Sequence, residues 1–86
     1  MPRISAFYGI VITMYFEDHN PPHFHARYAD SHAAVALDDL ALIVGELPNR
    51  ALRLVREWAA LHHDELESNW RLAFVGKTPV PIDPLP

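Results

Sequence analysis

The spacing of apolar residues changes once along the chain, and this change limits what the chain can fold into. Between residues 4 and 44 short apolar runs are separated by turn residues, and at 10–16 and 23–28 the side chains show the two-residue period of a β-strand. Between residues 47 and 74 they recur every three or four positions, as in amphipathic helices. Strands first and helices last predict an α+β fold, in which an N-terminal antiparallel sheet of about three to five strands packs against a C-terminal pair of helices.

Short segments in the first half carry the strand pattern. The alternation is clearest at residues 10–16, where β-branched and aromatic side chains predominate. Asn20-Pro21-Pro22 ends this run because proline cannot donate a ladder hydrogen bond, and Asp30-Ser31 is typical of a turn. The predicted strands are residues 4–8, 10–16, 23–28, 33–37 and 40–44, and Gly45 is predicted to end the last one.

Two helices are predicted in the second half. Pro48 suits a first helical turn, where its missing N–H is not needed. Asp64 and Glu67 have the spacing of a capping box, so the second helix is predicted to start at Asp64. Gly76 and Pro79 are stop signals. We therefore expect one domain, 1–86, with a β-rich half at 1–45, a helical half at 48–75 and a proline-rich tail, extended or frayed, at 77–86.

Composition restricts the classes of function. A chain of 86 residues has room for one modest core, so self-association or a partner chain is expected. The formal net charge of −4 disfavours a globally basic nucleic-acid binder. Because the chain has no cysteine, any metal would be bound by histidine nitrogen and carboxylate oxygen. The first residues lack the apolar run of a signal peptide, and no apolar stretch approaches the roughly 20 residues of a membrane span, so a cytoplasmic protein without membrane contact is expected.

Residues 17–25, with the sequence Glu-Asp-His-Asn-Pro-Pro-His-Phe-His, are the main candidate for function. On a strand His23 and His25 point to the same face, about 6.5–7 Å apart along the strand. A histidine pair with His19 or Asp18 as further ligands matches a site for zinc or another divalent transition ion. One interpretation of the segment is therefore a metal centre.

The same segment allows two other interpretations. His23 and His25 can act as acid and base near neutral pH, and Arg27 shares their strand face and can stabilise a phosphoryl group, which suits cleavage of RNA. The histidines can also be polar residues of a rigid turn, with a structural or partner-binding role. The residues alone leave all three alternatives open.

A second candidate surface lies on the first predicted helix. Arg50, Arg53 and Arg56 are spaced three apart and cover roughly a third of the helix surface. They are a candidate phosphate-binding or nucleic-acid-binding patch. The alternative is an ordinary solvated helix face.

Several motifs resemble a prokaryotic family, the domain of unknown function 4160 (DUF4160). They are Phe7-Tyr8-Gly9-Ile10, Met14-Tyr15-Phe16, the segment 18–25 and the helix at 47–55, and the likeness extends through Trp58 and Asn69-Trp70 to the proline-rich end. The histidine motif of that family falls on His19, His23 and His25. Ser31 and His32 lie where similar sequences carry other polar residues, so no role is assigned to them.

The resemblance implies less about function than about identity, because it carries over no established activity. Members of that family are commonly encoded beside a small protein of the family DUF2442, an arrangement that resembles a toxin–antitoxin pair. We therefore expect a component of such a pair, with the histidine cluster acting on RNA or holding a metal. The alternative is a non-catalytic protein–protein interaction module in which the His-Pro-Pro-His segment is structural.

Overall fold

A computed structural model of the chain describes residues 3–16 and 19–86. Five strands form one antiparallel sheet in the order β1-β2-β3-β4-β5, and two helices follow. The α+β prediction is confirmed. The elements are β1 (Arg3–Phe7), β2 (Ile10–Thr13), β3 (His23–Tyr28), β4 (Ser31–Ala36), β5 (Leu42–Glu46), α1 (Asn49–Leu61) and α2 (His63–Phe74).

The core lies between one face of the sheet and the helices. Trp58 of α1 is fully buried there, with its ring centroid 5.4 Å from that of Phe7 and 5.8 Å from that of Phe24. We call this the covered face; its buried strand residues include Phe7, Ile10, Ile12, Phe24, Ala26, Ala33 and Val35. Because side chains alternate along a strand, the intervening residues form the opposite surface. We call that surface the open face; it carries Val11, Thr13, His23, His25, Arg27 and His32.

The turn between β3 and β4 lies one residue earlier than predicted. Ala29 and Asp30 form it, and Ser31 already pairs with Tyr28 as the first residue of β4. Ala29 adopts a positive φ of 51°, which a two-residue hairpin turn requires. The predicted turn at Asp30-Ser31 and the strand start at residue 33 are therefore wrong, and His32 lies inside the sheet.

Gly45 was predicted to end β5, but it lies within the strand. The strand continues to Glu46, and Gly45 pairs with Ala33. The backbone of Gly45 has a positive φ of 78°. A β-carbon at this position would overlap the carbonyl oxygen of His32. Glycine is thus needed here for close approach of two strands rather than for chain reversal.

The second helix starts one residue before the prediction. His62 precedes it, and neither a side-chain cap bond nor the predicted Asp64–Glu67 capping box is formed there. Instead the Glu65 carboxylate lies 2.6 Å from His62 Nδ1. Neither helix in the described part of the chain is long and apolar enough to cross a membrane.

The proline-rich tail packs against the domain, so the expectation of fraying is wrong. It has no regular secondary structure, yet Ile82 and Leu85 are buried in the core, and Ile82 N–H donates to the carbonyl oxygen of Ile4 at 2.7 Å. Proline removes backbone donors but leaves carbonyl acceptors. Side chains of the domain donate to backbone carbonyls of the tail: the Tyr8 hydroxyl donates to Pro86 O and Trp58 Nε1 to Asp83 O, each at 2.8 Å.

Candidate functional site

The observed β3–β4 register brings two histidines together on the open face. His32 lies opposite Arg27, two residues along from the pair of His25 and Ala34, so it is on the same face as His25. His25 Nδ1 and His32 Nε2 are 3.3 Å apart, and the two rings stack with centroids 5.3 Å apart and 15° between their planes. Since Ala34 has no side chain beyond its β-carbon, it leaves room for this contact. The pair is a histidine–histidine hydrogen bond in which one ring donates and the other accepts.

The ring of Tyr15 also contacts His25. The ring centroid of Tyr15 lies 4.2 Å from that of His25, with 50° between the planes. His25 is half-buried between Tyr15 and His32, whereas His32 is exposed. His32 is therefore the member of the pair that a ligand from solvent meets first, and His25 is the member that orients it.

A shallow concavity lies beside this pair, and we call it the open-face basin. The β1–β2 register places Arg3 opposite Thr13, and the β2–β3 register places Val11 opposite Arg27. Two guanidinium groups, an imidazole and two hydroxyls therefore border one depression of about 270 Å³. Its lining residues are Arg3, Val11, Thr13, Tyr15, Arg27 and His32. Such a set of donors is suited to an anion, and to phosphate in particular.

His23 has a different environment from His25. Its Nδ1 lies 2.7 Å from the carbonyl oxygen of Pro21, and because a carbonyl only accepts, Nδ1 must carry the proton. The ring is also 5.3 Å from that of Trp70 in α2 and 5.0 Å from that of His25. His23 thus joins the Pro-Pro turn, α2 and the histidine pair.

The predicted metal ligands are only partly described. Asp18 lies outside the described residues, and His19 is exposed ahead of the turn. Within residues 3–16 and 19–86, the group of three whose ligand atoms all lie within 4.8 Å of one another is His63, Asp64 and Glu67, rather than His19, His23 and His25. A metal at the histidine segment remains a prediction.

The three helix arginines lie far from the histidines in the fold. Arg50, Arg53 and Arg56 are exposed on α1, which packs on the covered face, whereas His25 and Arg27 belong to the open face. Arg56 Nε also donates to the carbonyl oxygen of Leu40 at 2.9 Å. The sheet separates the two groups, so these arginines and Arg27 do not form one site.

Sequence reasoning missed three residues that border the site: His32, Arg3 and Tyr15. The signal for His32 was available. A two-residue turn at Ala29-Asp30 places His32 opposite Arg27, and the alternation within β3 then puts it on the same face as His25. Arg3 had no such signal, because its position depends on a register shift between β1 and β2.

Comparison with known proteins agrees with the motifs. The model of the family described as "Domain of unknown function (DUF4160)" matches residues 9–71, a segment that contains Tyr15, His25, Arg27 and His32. No curated protein and no solved structure matches the chain. The match covers most of the 86 residues and confirms the resemblance seen in the motifs. The chain therefore belongs to the DUF4160 family.

Proposed function

We propose that the open face is an acid–base site that cleaves phosphodiester bonds in RNA. The observation that carries the proposal is the hydrogen-bonded pair of His25 and His32 at the border of the arginine-lined basin. In this proposal His32 is the catalytic acid–base group and His25 is its positioning partner. Arg27 and Arg3 bind the phosphate.

The donor set fits a substrate that supplies its own nucleophile. Imidazole changes its protonation state near neutral pH, so a positioned histidine can take a proton from an attacking hydroxyl. RNA carries that hydroxyl at the ribose 2′ position, adjacent to the phosphodiester. His32 takes the 2′-OH proton, the 2′ oxygen bonds to phosphorus, and the bond to the 5′ oxygen breaks. That oxygen takes a proton from water, and the hydroxide so formed takes the proton from His32. The products are a 2′,3′-cyclic phosphate and a 5′-hydroxyl, and His32 is neutral again.

The two arginines stabilise the charge that builds on phosphorus. A guanidinium presents a planar fork of N–H donors that matches two phosphate oxygens. Because Arg3 and Arg27 line the same basin from strands β1 and β3, they can contact the phosphate from two sides. The preorganised positive charge lowers the barrier most where negative charge develops in the transition state. This arrangement also concentrates the positive charge locally in a chain of net charge −4.

The catalytic set proposed from sequence changes in one position. It consisted of His23, His25 and Arg27. The contacts of His23 with Pro21 and Trp70 favour a role in positioning the turn, and in this proposal His32 takes its place beside the basin. The chain acts in this proposal as the effector half of a toxin–antitoxin-type pair, which the resemblance to a family encoded beside DUF2442 proteins supports.

The decisive experiment is cleavage of a single-stranded RNA by purified His32→Ala protein, with His63→Ala as the matched control. His63 is a half-buried histidine at the start of α2, outside the basin. Loss of a general acid–base group typically costs about 10²–10⁴-fold in rate. We expect a loss in that range for His32→Ala, wild-type activity for His63→Ala, and no cleavage of the matching DNA strand.

Two results would refute the proposal. One is an RNA that stays intact with the wild-type protein, and the other is a His32→Ala protein that cleaves like wild type. Equal activity in all variants would indicate a contaminating nuclease. Expression of the wild-type chain and of His32→Ala alone in cells tests the effector role, because only the active chain should slow growth.

A partner-binding module is the second candidate, and β5 supports it. This strand lies at the edge of the sheet, and three consecutive aliphatic residues, Leu42, Ile43 and Val44, are exposed on it. An exposed apolar edge strand is a ready surface for another chain. In that case Val44→Lys would abolish binding of a DUF2442-type protein or self-association, whereas His32→Ala would leave binding unchanged.

A zinc-type site is a further candidate for the same segment. A histidine that donates one ring N–H to a carbonyl is the usual arrangement of a metal ligand, because it fixes which nitrogen carries the lone pair. His23 makes such a contact with Pro21. Elemental analysis of untagged protein would show near-stoichiometric metal that is lost in His23→Ala, if this candidate is right.

A further inference from the structure

A groove at the end of α2 combines exposed apolar groups with two polar side chains. Phe74 is 47% exposed and Val75 is 66% exposed, which is unusual for residues that follow a buried helix turn. Trp70 is 7% exposed and packs behind Phe74, with its ring centroid 6.0 Å from that of Phe74. The groove has a volume of about 350 Å³, and its lining residues are Asn20, Trp70, Arg71, Phe74 and Val75.

The groove is connected to the open-face basin by a row of rings. His32 stacks on His25 at 5.3 Å, His25 meets His23 at 5.0 Å, and His23 meets Trp70 at 5.3 Å. Of these residues His23 and His25 lie on β3, His32 on β4 and Trp70 on α2. Because neighbouring ring centroids are only 5.0 to 5.3 Å apart, the two ends of the row are separated by no more than a few nucleotides of extended strand. A single strand whose phosphate sits in the basin can therefore reach the groove.

The chemistry of the groove matches a flat ring with a polar edge. An exposed aromatic ring such as that of Phe74 stacks on the face of a nucleobase whatever its identity. The Asn20 carboxamide offers one donor pair and one acceptor to the edge of the base, and asparagine in particular can pair with adenine through two hydrogen bonds. Arg71 can stack on the base or contact the adjacent phosphate. An aliphatic ligand would contact the apolar side chains of the groove but would leave Asn20 and Arg71 without a hydrogen-bond partner in the ligand.

We propose that this groove is a nucleobase subsite for the RNA strand cleaved at the open-face basin. The inference rests on the proposed function and deepens it, because it names a second contact with the substrate and gives the reason why the substrate is single-stranded. A base inside a duplex is stacked on its neighbours and cannot enter a protein groove. Phe74 stacks on the base, Trp70 supports Phe74 from behind, and Asn20 contacts the edge of the base. None of these residues takes part in proton transfer.

The test uses fluorescence anisotropy to measure the binding of two short single strands to the whole protein. One is a 2′-O-methyl oligoadenylate, which lacks the 2′-OH needed for cleavage, and the other is an abasic strand of the same length. Stacking on an aromatic side chain contributes enough that its removal weakens binding about tenfold. We expect the oligoadenylate to bind about tenfold tighter than the abasic strand, and Phe74→Ala to remove this difference.

Leu61→Ala is the matched control, because Leu61 is an exposed apolar residue of α1 outside the groove. It should bind both strands like wild type. In cleavage assays Phe74→Ala should raise KM for RNA and leave kcat unchanged. Equal binding of the two strands by wild type, or an unchanged oligoadenylate affinity in Phe74→Ala, overturns the subsite and leaves the basin intact. Binding of neither strand overturns the subsite together with the proposed function.

Discussion

The covered face and the open face are made by alternate residues of the same strands, yet they are held together in different ways. On the covered face Phe24 is completely buried and packs against Trp58. Its chain neighbour His25 is half-buried on the open face, where it contacts the rings of Tyr15 and His32. One strand thus supplies stability on one side and candidate chemistry on the other. A substitution on the open face should therefore change function at little cost in stability.

The neighbouring pair Phe24 and His25 gives the strongest test of this comparison. Phe24→Ala should lower the free energy of unfolding by about 3–5 kcal/mol, because it removes a buried ring and leaves a cavity. His25→Ala should cost only about 1 kcal/mol, since it removes one hydrogen bond and partly exposed packing. Urea denaturation of both variants, followed by circular dichroism, measures the two values.

Similar losses of unfolding free energy in Phe24→Ala and His25→Ala would contradict the contrast between a stabilising covered face and a functional open face. Such a result would mean that the histidine cluster is part of the structural core, as the interaction-module interpretation of the His-Pro-Pro-His segment requires. A small loss for His25→Ala combined with lost RNA cleavage would assign the cluster to function. Retained cleavage would remove the positioning role of His25.

The next test concerns Gly45, where the backbones of β4 and β5 approach each other closely. Gly45→Ala should destabilise the fold by about 2–4 kcal/mol, because a left-handed φ is unfavourable for alanine and the new methyl group meets the backbone of His32. Gly76→Ala is the matched control, since Gly76 has a similar φ of 81° but open space around it. It should cost only about 1–2 kcal/mol. Thermal unfolding of both proteins gives the difference.

The two glycine variants also differ in what they do to the open face. His32 lies on β4 directly against Gly45, so a shift of that backbone moves the histidine pair as well. We expect Gly45→Ala to reduce RNA cleavage and Gly76→Ala to leave it unchanged. Equal stability losses in the two variants would show that the backbone conformation alone, and not the contact with His32, requires glycine at position 45.

The covered face was largely predictable from the sequence, and the open face was not. The two periods of the apolar pattern identify Phe24, Ile12, Val55 and Trp58 as core residues, because burial depends on each element's own repeat. The approximate number of strands and the helical pair follow from the same pattern. Contacts on the open face depend instead on which residues lie opposite each other. His32 was given no role because similar sequences carry other polar residues there, and a turn misplaced by one residue hid its position beside His25.

The tail shows a second limit of sequence reasoning. Its composition, with four of the eight prolines, favoured an extended or frayed segment. Its docking depends on single side chains elsewhere in the fold: Asn69 both donates to and accepts from the backbone of Val80, each at 2.8 Å. No local pattern near residues 77–86 encodes these partners, because the donors lie on α1 and α2.

The smallest predicted effect concerns a polar group on the buried side of the sheet. Ser5 is 7% exposed, and its hydroxyl has no hydrogen-bond partner among the described residues. A buried hydroxyl without a partner loses its hydration and gains nothing in return. Ser5→Ala should therefore raise the free energy of unfolding by about 0.5–1 kcal/mol in urea denaturation, whereas Thr13→Ala on the open face should not. A destabilised Ser5→Ala protein would mean that the hydroxyl is satisfied in solution, so that the covered face includes a polar contact that its apolar pattern does not indicate.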